Sequence, residues 1–206
     1  MGTVTTLESH RLARAERAAR GRHVLPRATL FFDLGSPYTY LAAERADRMF
    51  AGLEWLPASA EVFDRGAPDA RGHCPAAERA RLLGLPLVWP DEYAYGVHGA
   101  MRVASLAAQR GCAAAFVLAA SRLAFCGGFD IDDPEILAEA AAAAGIGLDD
   151  ALRAAGDVAR DGPIEQAGRP LLAAGATRLP ALRVGRTLFC GEERLGEAAL
   201  ARSAAV

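Results

Sequence analysis

The sequence predicts an α/β domain whose two parts are separated by a helical insertion. Three observations lead to this prediction. Residues 28–60 show a strand, a helix and a second strand, residues 61–161 show helical patterns without a convincing strand, and residues 162–206 show a helix, two strands and a last helix. Strands that alternate with helices are typical of α/β domains, whereas a long helical block between them indicates an insertion. A chain of 206 residues can hold one such domain together with its insertion.

The N-terminal residues 1–27 form an arginine-rich extension ahead of the first strand. The arginines are scattered among good helix formers, and the apolar residues make only a thin stripe. This extension has no apolar centre, so it does not resemble a secretory signal. We expect a solvated helix outside the core.

The first strand, helix and second strand follow directly. Residues 28–34 are a short apolar run rich in strand formers. Ser36 is a favoured N-cap and Pro37 is favoured at the first helical position, so a helix is expected over residues 38–50. Residues 53–57 are the second strand. A strand, helix and strand in this order imply a parallel pair joined by a right-handed crossover.

The middle of the chain reads as a loop followed by short helices. Residues 64–75 are rich in Gly, Pro and Asp, which is typical of a loop. Residues 160–163 break the helical pattern, and a further helix is expected over residues 164–174. The other predicted helices cover residues 76–83, 99–110, 113–125, 134–144 and 148–155.

The end of the chain returns to α/β character. Residues 180–184 alternate like a strand, and a turn at Gly185 leads into a partner strand over residues 187–190. A last helix is expected over residues 192–201. The order is therefore βαβ, a helical block, and αββα. The first and last parts together make the thioredoxin arrangement, which assigns residues 28–60 and 162–206 to a thioredoxin-like domain and residues 61–161 to an all-helical insertion.

Composition and charge exclude several function classes. Apolar residues make up 52% of the chain, and the net charge is −2, so no global field favours nucleic acid or a membrane surface. No segment approaches the ~18 consecutive apolar residues of a membrane helix. All 23 basic residues are arginine. The cysteines form no Cys-x-x-Cys pair and match no zinc spacing, so we expect reduced cysteines in a cytoplasmic protein; they are Cys74, Cys112, Cys126 and Cys190.

The sharpest local feature is the turn from Gly35 to Tyr38 at the tip of the first strand. Ligands bind beyond the carboxyl ends of parallel strands, where a helix N-terminus offers free amide groups. The hydroxyl of Ser36 would lie among those amides, and this environment can hold a thiolate or a carboxylate. A simple helix start explains the same residues, and from these residues alone it is the favoured interpretation, because Ser-Pro caps are common.

Three segments together resemble the 2-hydroxychromene-2-carboxylate isomerases and the kappa-class glutathione transferases, which share a DsbA-like thioredoxin fold. Residues 32–41, FDLGSPYTYL, are similar to the FDxxSPYxYL opening of this family. Residues 81–90, RLLGLPLVWP, resemble its RxxGxPLxxP segment. Residues 188–195, LFCGEERL, resemble its LFxGxDRL ending. The three matches occur in the same order as in the family.

The resemblance implies a glutathione site at this turn. It implies that Ser36 hydrogen-bonds the sulfur of glutathione, with Pro37 and Tyr38 beside it in the site. It also implies that the bond between Leu179 and Pro180 is cis and lies next to the start of the first helix, where this segment pairs with the glutathione backbone. A cis X-Pro bond is a minority state, about 5–6% of such bonds, so composition alone does not predict one.

Further site residues follow from the same resemblance and from position. Glu192 and Glu193 would receive the γ-glutamyl end of glutathione, although acidic residues at a helix start also simply complement the helix dipole. His73 lies in a loop near the expected cleft, and we include it among the ligand contacts because histidine titrates near neutral pH. The sequence departs from the family at Ala181, where a threonine is usual, and at Glu193, where the family has aspartate.

The resemblance implies a glutathione-dependent isomerase or transferase that acts on a small aromatic or conjugated substrate through a thiolate held by Ser36. The alternatives are a same-fold enzyme that uses another thiol, and a degenerate thioredoxin-fold binding protein. A dithiol–disulfide oxidoreductase is not expected, because Ser36 and Thr39 stand where Cys-x-x-Cys would. No metal, nucleic acid or membrane partner is expected, and the oligomeric state, a homodimer included, is left open.

Overall fold

A computed structural model of the chain describes residues 25–63, 73–90 and 96–205. In this part of the chain four strands and eight α-helices follow one another. The strands are β1 (Ala28–Phe32), β2 (Glu54–Pro57), β3 (Ala181–Val184) and β4 (Thr187–Cys190), and the helices are α1 (Pro37–Met49), α2 (His73–Leu83), α3 (His98–Gln109), α4 (Ala113–Phe125), α5 (Pro134–Ala143), α6 (Leu148–Gly156), α7 (Asp161–Ala173) and α8 (Leu195–Ala204).

The four strands form one mixed sheet in the order β2-β1-β3-β4. Strand β1 pairs in parallel with β2, as the βαβ pattern predicts, and antiparallel with β3, so that Phe31 lies opposite Ala181. Strands β3 and β4 form an antiparallel hairpin through Gly185. The predicted thioredoxin-like α/β fold with a helical insertion is therefore confirmed.

Strand β1 is buried on both faces, which explains its continuous apolar sequence. Leu30 and Phe32 point into the large core that the sheet shares with α1 and the inserted helices. Phe31 points to the opposite face, where a smaller core contains Leu171 of α7 and Leu179. The end of β1 is thus held from both sides, and the turn that follows it is fixed in position.

The insertion packs directly on the thioredoxin-like part. Helix α4 lies along α1, where the rings of Tyr40 and Phe125 stack with their centroids 6.2 Å apart. Arg122 of α4 also donates two hydrogen bonds to the carboxylate of Glu44 on α1. The described part of residues 61–161 contains helices and no strand. The division of the chain into domains stays a prediction.

Two acidic side chains fix helix α3. The carboxylate of Asp132 accepts hydrogen bonds from the backbone N–H groups of Gly99 and Ala100, at 3.3 Å and 2.7 Å, and so caps a helix 32 residues before it. Arg102 forms a two-pronged ion pair with Asp161, with both distances at 2.7 Å. This guanidinium group holds the pKa of Asp161 below its usual range. Helix α3 is thereby joined to the start of α7.

Element boundaries differ from the sequence expectation at several places. Helix α7 begins at Asp161, before Gly162 and Pro163, because proline is tolerated in the first turn, where its missing N–H is not needed. Helix α2 begins at His73, within the predicted loop, whereas residues 64–72 lie outside the described residues. The predicted last helix opens as a 3-10 turn over Glu192–Arg194 and continues as α8.

Candidate functional site

The turn after β1 has the geometry that Ser36 and Pro37 predict. Ser36 is the N-cap of α1 in an extended conformation, and Pro37 occupies the first turn. The backbone carbonyl of Asp33 accepts hydrogen bonds from the Ser36 N–H at 3.1 Å and from the Thr39 hydroxyl at 2.6 Å. The side chain of Ser36 is half-buried and makes no capping hydrogen bond to α1. Its hydroxyl therefore stays available at the start of the helix.

A cis bond joins Leu179 to Pro180, so the cis-proline that the resemblance implies is present. The β1–β3 register pairs Phe31 with Ala181, and continuing it brings Pro180 level with the end of β1. The Pro180 carbonyl accepts a hydrogen bond from the N–H of Gly191 at 2.8 Å. The cis-proline thus borders the turn after β1 on one side and the start of the last helical segment on the other.

Asp33 ties this turn to the end of the neighbouring strand. Its carboxylate accepts hydrogen bonds from the N–H of Gly35 at 2.9 Å and from the N–H of Ala60 at 2.7 Å. Burial is the main cause that raises the pKa of Asp33 to about 6, and the two backbone hydrogen bonds oppose it. The sequence analysis assigned Asp33 no role. The feature that could have indicated one is its position, as a single carboxylate directly after a buried apolar strand.

Glu192 is buried, and its carboxylate is held by two guanidinium groups. Arg45 of α1 donates to Oε2 at 2.9 Å, and Arg79 of the insertion donates to both oxygens. This contact raises the pKa of Arg79. The side chain of Glu192 is 1% exposed. Its predicted contact with the γ-glutamyl end of glutathione stays a prediction. Glu192 joins α1, the insertion and the C-terminal segment.

Glu193 lies next to Glu192 but faces solvent. Its carboxylate pairs with Arg178, and the two side chains are 42% and 59% exposed. The carboxylate also folds over Gly191, where a Cβ would collide with it, and the φ of +93° at this glycine disfavours other residues. Tyr38 is half-buried nearby; burial raises the pKa of its phenol, and the charge of Arg178 opposes this. The predicted residues Tyr38 and Glu193 therefore lie close together.

The insertion covers the other side of the turn. The Sδ atom of Met101 on α3 accepts a hydrogen bond from the Leu34 N–H at 3.3 Å. His98 is exposed one helical turn earlier, and its charge reaches the carboxylate of Asp33. Trp89 is half-buried against the edge of Phe125, with ring centroids 6.2 Å apart.

The predicted contact at His73 is not described. This residue begins α2, but its side chain lies outside the described residues. Tyr40, two residues after Tyr38, is fully buried and donates its hydroxyl proton to the Pro86 carbonyl at 2.9 Å, so it packs in the core.

The arrangement suits binding and activation of an anionic sulfur or oxygen group. A hydroxyl donor and the positive end of a helix dipole meet at Ser36. Within residues 25–63, 73–90 and 96–205, no group of three His, Cys, Asp or Glu side chains could hold a metal ion. In the same ranges no helix is both long enough and apolar enough to cross a lipid bilayer.

Comparison with known proteins supports the fold. A structure of 2-hydroxychromene-2-carboxylate isomerase is similar over 86% of this chain and 95% of its own, with a TM-score of 0.69 and 20% identity. A candidate DsbA oxidoreductase from Streptomyces coelicolor is similar over 87% of this chain and 89% of its own, with a TM-score of 0.65 and 20% identity. A candidate protein disulfide isomerase from Nitrosomonas europaea is similar over 86% of this chain and 97% of its own, with a TM-score of 0.62 and 16% identity.

These similarities show that the chain has a DsbA-like thioredoxin fold. No protein-family model matches the chain, and no curated protein matches it. The fold is therefore shared with isomerases and with disulfide oxidoreductases, and the chemistry has to be argued from the site itself.

Proposed function

We propose that this chain is a glutathione-dependent isomerase or transferase that acts on a small aromatic or conjugated substrate through a thiolate held by Ser36. The observation that carries the proposal is the Ser36 hydroxyl, which makes no capping bond although it stands at the N-cap of α1, in a chain that also has the cis bond at Pro180. The oxygen of a serine in this position normally accepts a bond from a helix N–H. Because the Ser36 hydroxyl is not held in that bond, it can turn and donate its proton to a ligand.

Ser36 would act by lowering the pKa of the bound thiol. A free thiol has a pKa of ~8.5 and is mostly protonated at neutral pH. A hydrogen bond to the charged form contributes roughly 1.5–3 kcal/mol and the helix N-terminus roughly 0.3–1 kcal/mol. Together these correspond to a fall of about 1–3 pKa units, which would bring the thiol pKa to about 5.5–7.5 and raise the ionised fraction at pH 7 well above that of the free thiol. Among the described residues no hydrogen bond joins the Ser36 hydroxyl to a histidine, so we do not assign Ser36 the role of nucleophile.

The thiolate would be the nucleophile of the reaction. In the isomerase form, its sulfur adds to the unsaturated carbon of a conjugated substrate, and the electron pair of the double bond moves to the conjugated acceptor group. The former double bond is then a single bond and can rotate. Return of the electron pair expels the thiolate and restores the double bond in the other geometry. The transferase form keeps the new C–S bond. Addition to a conjugated alkene is completed by a proton from water, and addition to an activated aromatic ring is completed by loss of a leaving group such as chloride.

The rest of the ligand would lie along the cis-proline segment. We assign Leu179 and Pro180 to pairing with the glutathione backbone and Glu193 to its γ-glutamyl ammonium group, because the carboxylate of Glu193 is exposed at this edge of the site. Glu192 would hold the segment next to Glu193 in place through its ion pairs with Arg45 and Arg79. Tyr38 stays protonated at neutral pH, because burial raises its pKa, and it can donate to a bound group. Reduced glutathione would also favour a cytoplasmic location.

The disulfide oxidoreductases of this fold suggest a second candidate function, but the residues of this turn favour the first. Ser36 and Thr39 hold the positions of a Cys-x-x-Cys pair, and Thr39 is fully buried with its hydroxyl bonded to the Asp33 carbonyl. Thiol–disulfide exchange needs a thiolate at the attacking position. We therefore propose that this turn binds a thiol from solution rather than carrying one.

The proposal is tested by binding and turnover with glutathione. Calorimetric titration should show binding of glutathione, and mixing with a generic aromatic electrophile such as 1-chloro-2,4-dinitrobenzene should give thioether faster than the uncatalysed reaction. Binding without turnover of any conjugated substrate would indicate a binding protein. Turnover that requires a different thiol, with no binding of glutathione, would indicate an enzyme of the same fold that uses another thiol.

A further inference from the structure

We propose that Arg178 is a specificity-determining residue of this site, which binds the carboxylate of an anionic ligand, and that Glu193 is its exchangeable counter-ion. This inference deepens the proposed function, on which it rests for the location of the ligand. The motif resemblance gives Arg178 no role.

The register of the sheet places Arg178 at the site. Phe31 lies opposite Ala181, so the ladder, extended beyond β3, brings Arg178 level with the turn that follows β1. Arg178 also comes directly before the cis bond between Leu179 and Pro180. Its charge acts on the phenol of Tyr38, which is in the first turn of α1. From this register and the contact with Glu193, we infer that the guanidinium group lies at the rim of the Ser36 site.

The contact between Arg178 and Glu193 is weak enough to exchange. Both side chains are more than one third exposed, at 59% and 42%. Ion pairs with such exposure contribute little to stability, because water competes for both charges and ordering two long side chains costs entropy. A ligand carboxylate can instead form two parallel bonds with the guanidinium fork, which is the stronger arrangement. Replacing Glu193 by a ligand therefore loses little and gains a bidentate contact.

The other charges around the site leave Arg178 accessible. Arg45 and Arg79 hold the buried Glu192, Arg178 pairs with Glu193, and Asp33 adds a third carboxylate in the turn. Both oxygens of Glu192 are already bonded to guanidinium groups. Of Arg45, Arg79 and Arg178, it is Arg178 that has the most exposed side chain, at 59% against 25% and 30%.

Matched charge changes elsewhere on the chain provide the controls. Arg186 lies in the hairpin turn at the opposite end of β3, so Arg186→Gln makes the same charge change away from the site. Glu197 is exposed on α8 and pairs with Arg194, so Glu197→Gln matches Glu193→Gln. All four side chains are solvent-exposed, and the substitutions leave the buried cores unchanged.

The experiment compares an anionic and a neutral probe that lack both thiol and amino groups. Binding of trans-cinnamate and of cinnamamide is measured by NMR titration for the wild type and the four variants. The wild type should bind cinnamate more tightly than cinnamamide. Arg178→Gln should lower the affinity for cinnamate by about tenfold, equivalent to ~1.4 kcal/mol, and leave the affinity for cinnamamide unchanged. Glu193→Gln should raise the affinity for cinnamate. Arg186→Gln and Glu197→Gln should behave like the wild type.

Three results would overturn the proposal. They are no preference for cinnamate in the wild type, a preference that survives Arg178→Gln, and equal losses in Arg178→Gln and Arg186→Gln. Weaker cinnamate binding in Glu193→Gln would overturn the counter-ion role. Because the probes carry no thiol, the result does not depend on whether glutathione is bound, and a parallel glutathione titration reports on the proposed function separately.

Discussion

The carboxylate of Asp33 lies 2.7 Å from the backbone nitrogen of Ala60, and this hydrogen bond joins the turn after β1 to the chain after β2. The same carboxylate accepts a second bond from Gly35, directly before the N-cap of α1. The position of Ser36 therefore depends on a buried ionisable group. Four side chains lead to testable predictions. They are the carboxylates of Asp33, Glu192 and Asp132, which join distant parts of the chain, and the hydroxyl of Ser36.

Asp33 should make the free energy of unfolding fall as pH rises. Its pKa in the folded chain is about 6, above the unfolded value of 3.8, so between these values the folded state binds more protons than the unfolded state. Its contribution to stability is complete below pH 3.8 and is lost as pH rises through 6, by about 3 kcal/mol in total. Urea unfolding of the wild type and Asp33→Asn between pH 4 and pH 8 measures the difference, since the variant cannot titrate there.

Asp47→Asn provides a control for this measurement. Asp47 is exposed on α1, so the variant removes a carboxylate from the same helix region without touching the buried turn. It should keep the wild-type dependence on pH. Equal pH profiles of the wild type and Asp33→Asn would show that burial does not raise the pKa of this carboxyl.

Ser36→Ala should raise the pKa of a glutathione thiol bound at the site. The variant removes the hydroxyl donor but keeps the helix N-terminus, so the expected rise is about 1–2 pKa units. The ultraviolet absorbance of the thiolate, followed against pH in both complexes, measures it. Activity at neutral pH should fall in parallel and recover in part at high pH.

Ser203→Ala is the matched control for Ser36→Ala. The Ser203 hydroxyl donates to the Ala199 carbonyl within α8 and is exposed. Its removal should leave the thiol titration unchanged. Coincident titration curves for the wild type and Ser36→Ala would eliminate the proposed role of the hydroxyl.

Glu192→Gln should destabilise the contact between the insertion and the rest of the chain. Removing one partner of a buried ion pair costs about 3–5 kcal/mol, and because Arg45 and Arg79 are 25% and 30% exposed we expect the lower part of this range or less, about 2–3 kcal/mol. Chemical denaturation measures the loss, and faster amide exchange in α2 would locate it. Glu197→Gln, at an exposed pair, should have little effect on stability, because water competes for both charges. A loss at Glu192 as small as that at Glu197 would refute the structural role.

Asp132→Ala should cost roughly 1 kcal/mol of stability, because it leaves the first N–H groups of α3 without an acceptor. Asp149→Ala, in the first turn of α6, is a suitable control because Asp149 is exposed there and is not the N-cap. Thermal unfolding of both variants would show the difference. If the two variants unfold at the same temperature, Asp132 does not cap α3.

Most elements of the fold could be predicted from the sequence, because each depends on neighbours in the chain. The apolar run of β1, the Ser36-Pro37 cap and the helix Ala113–Phe125 are encoded by spacing over a few residues. The start of α7 was predicted three residues too late for a similar reason: a proline such as Pro163 is as typical of a break between helices as of the first turn of a helix. The cis bond at Pro180 was predicted through motif resemblance, because local chemistry favours the trans form.

The sequence by itself therefore determined the order of elements, the thioredoxin-like arrangement and the turn at Ser36. The tertiary structure decided which charges meet there. The partners of Glu192 are 147 and 113 residues away, and Arg178 meets Glu193 across 15 residues and a strand hairpin. No periodicity of a helix or a strand extends over such separations. Only closure of the sheet and docking of the insertion bring these side chains together, and so only the folded chain shows that Glu192 is buried while Glu193 and Arg178 are exposed to solvent.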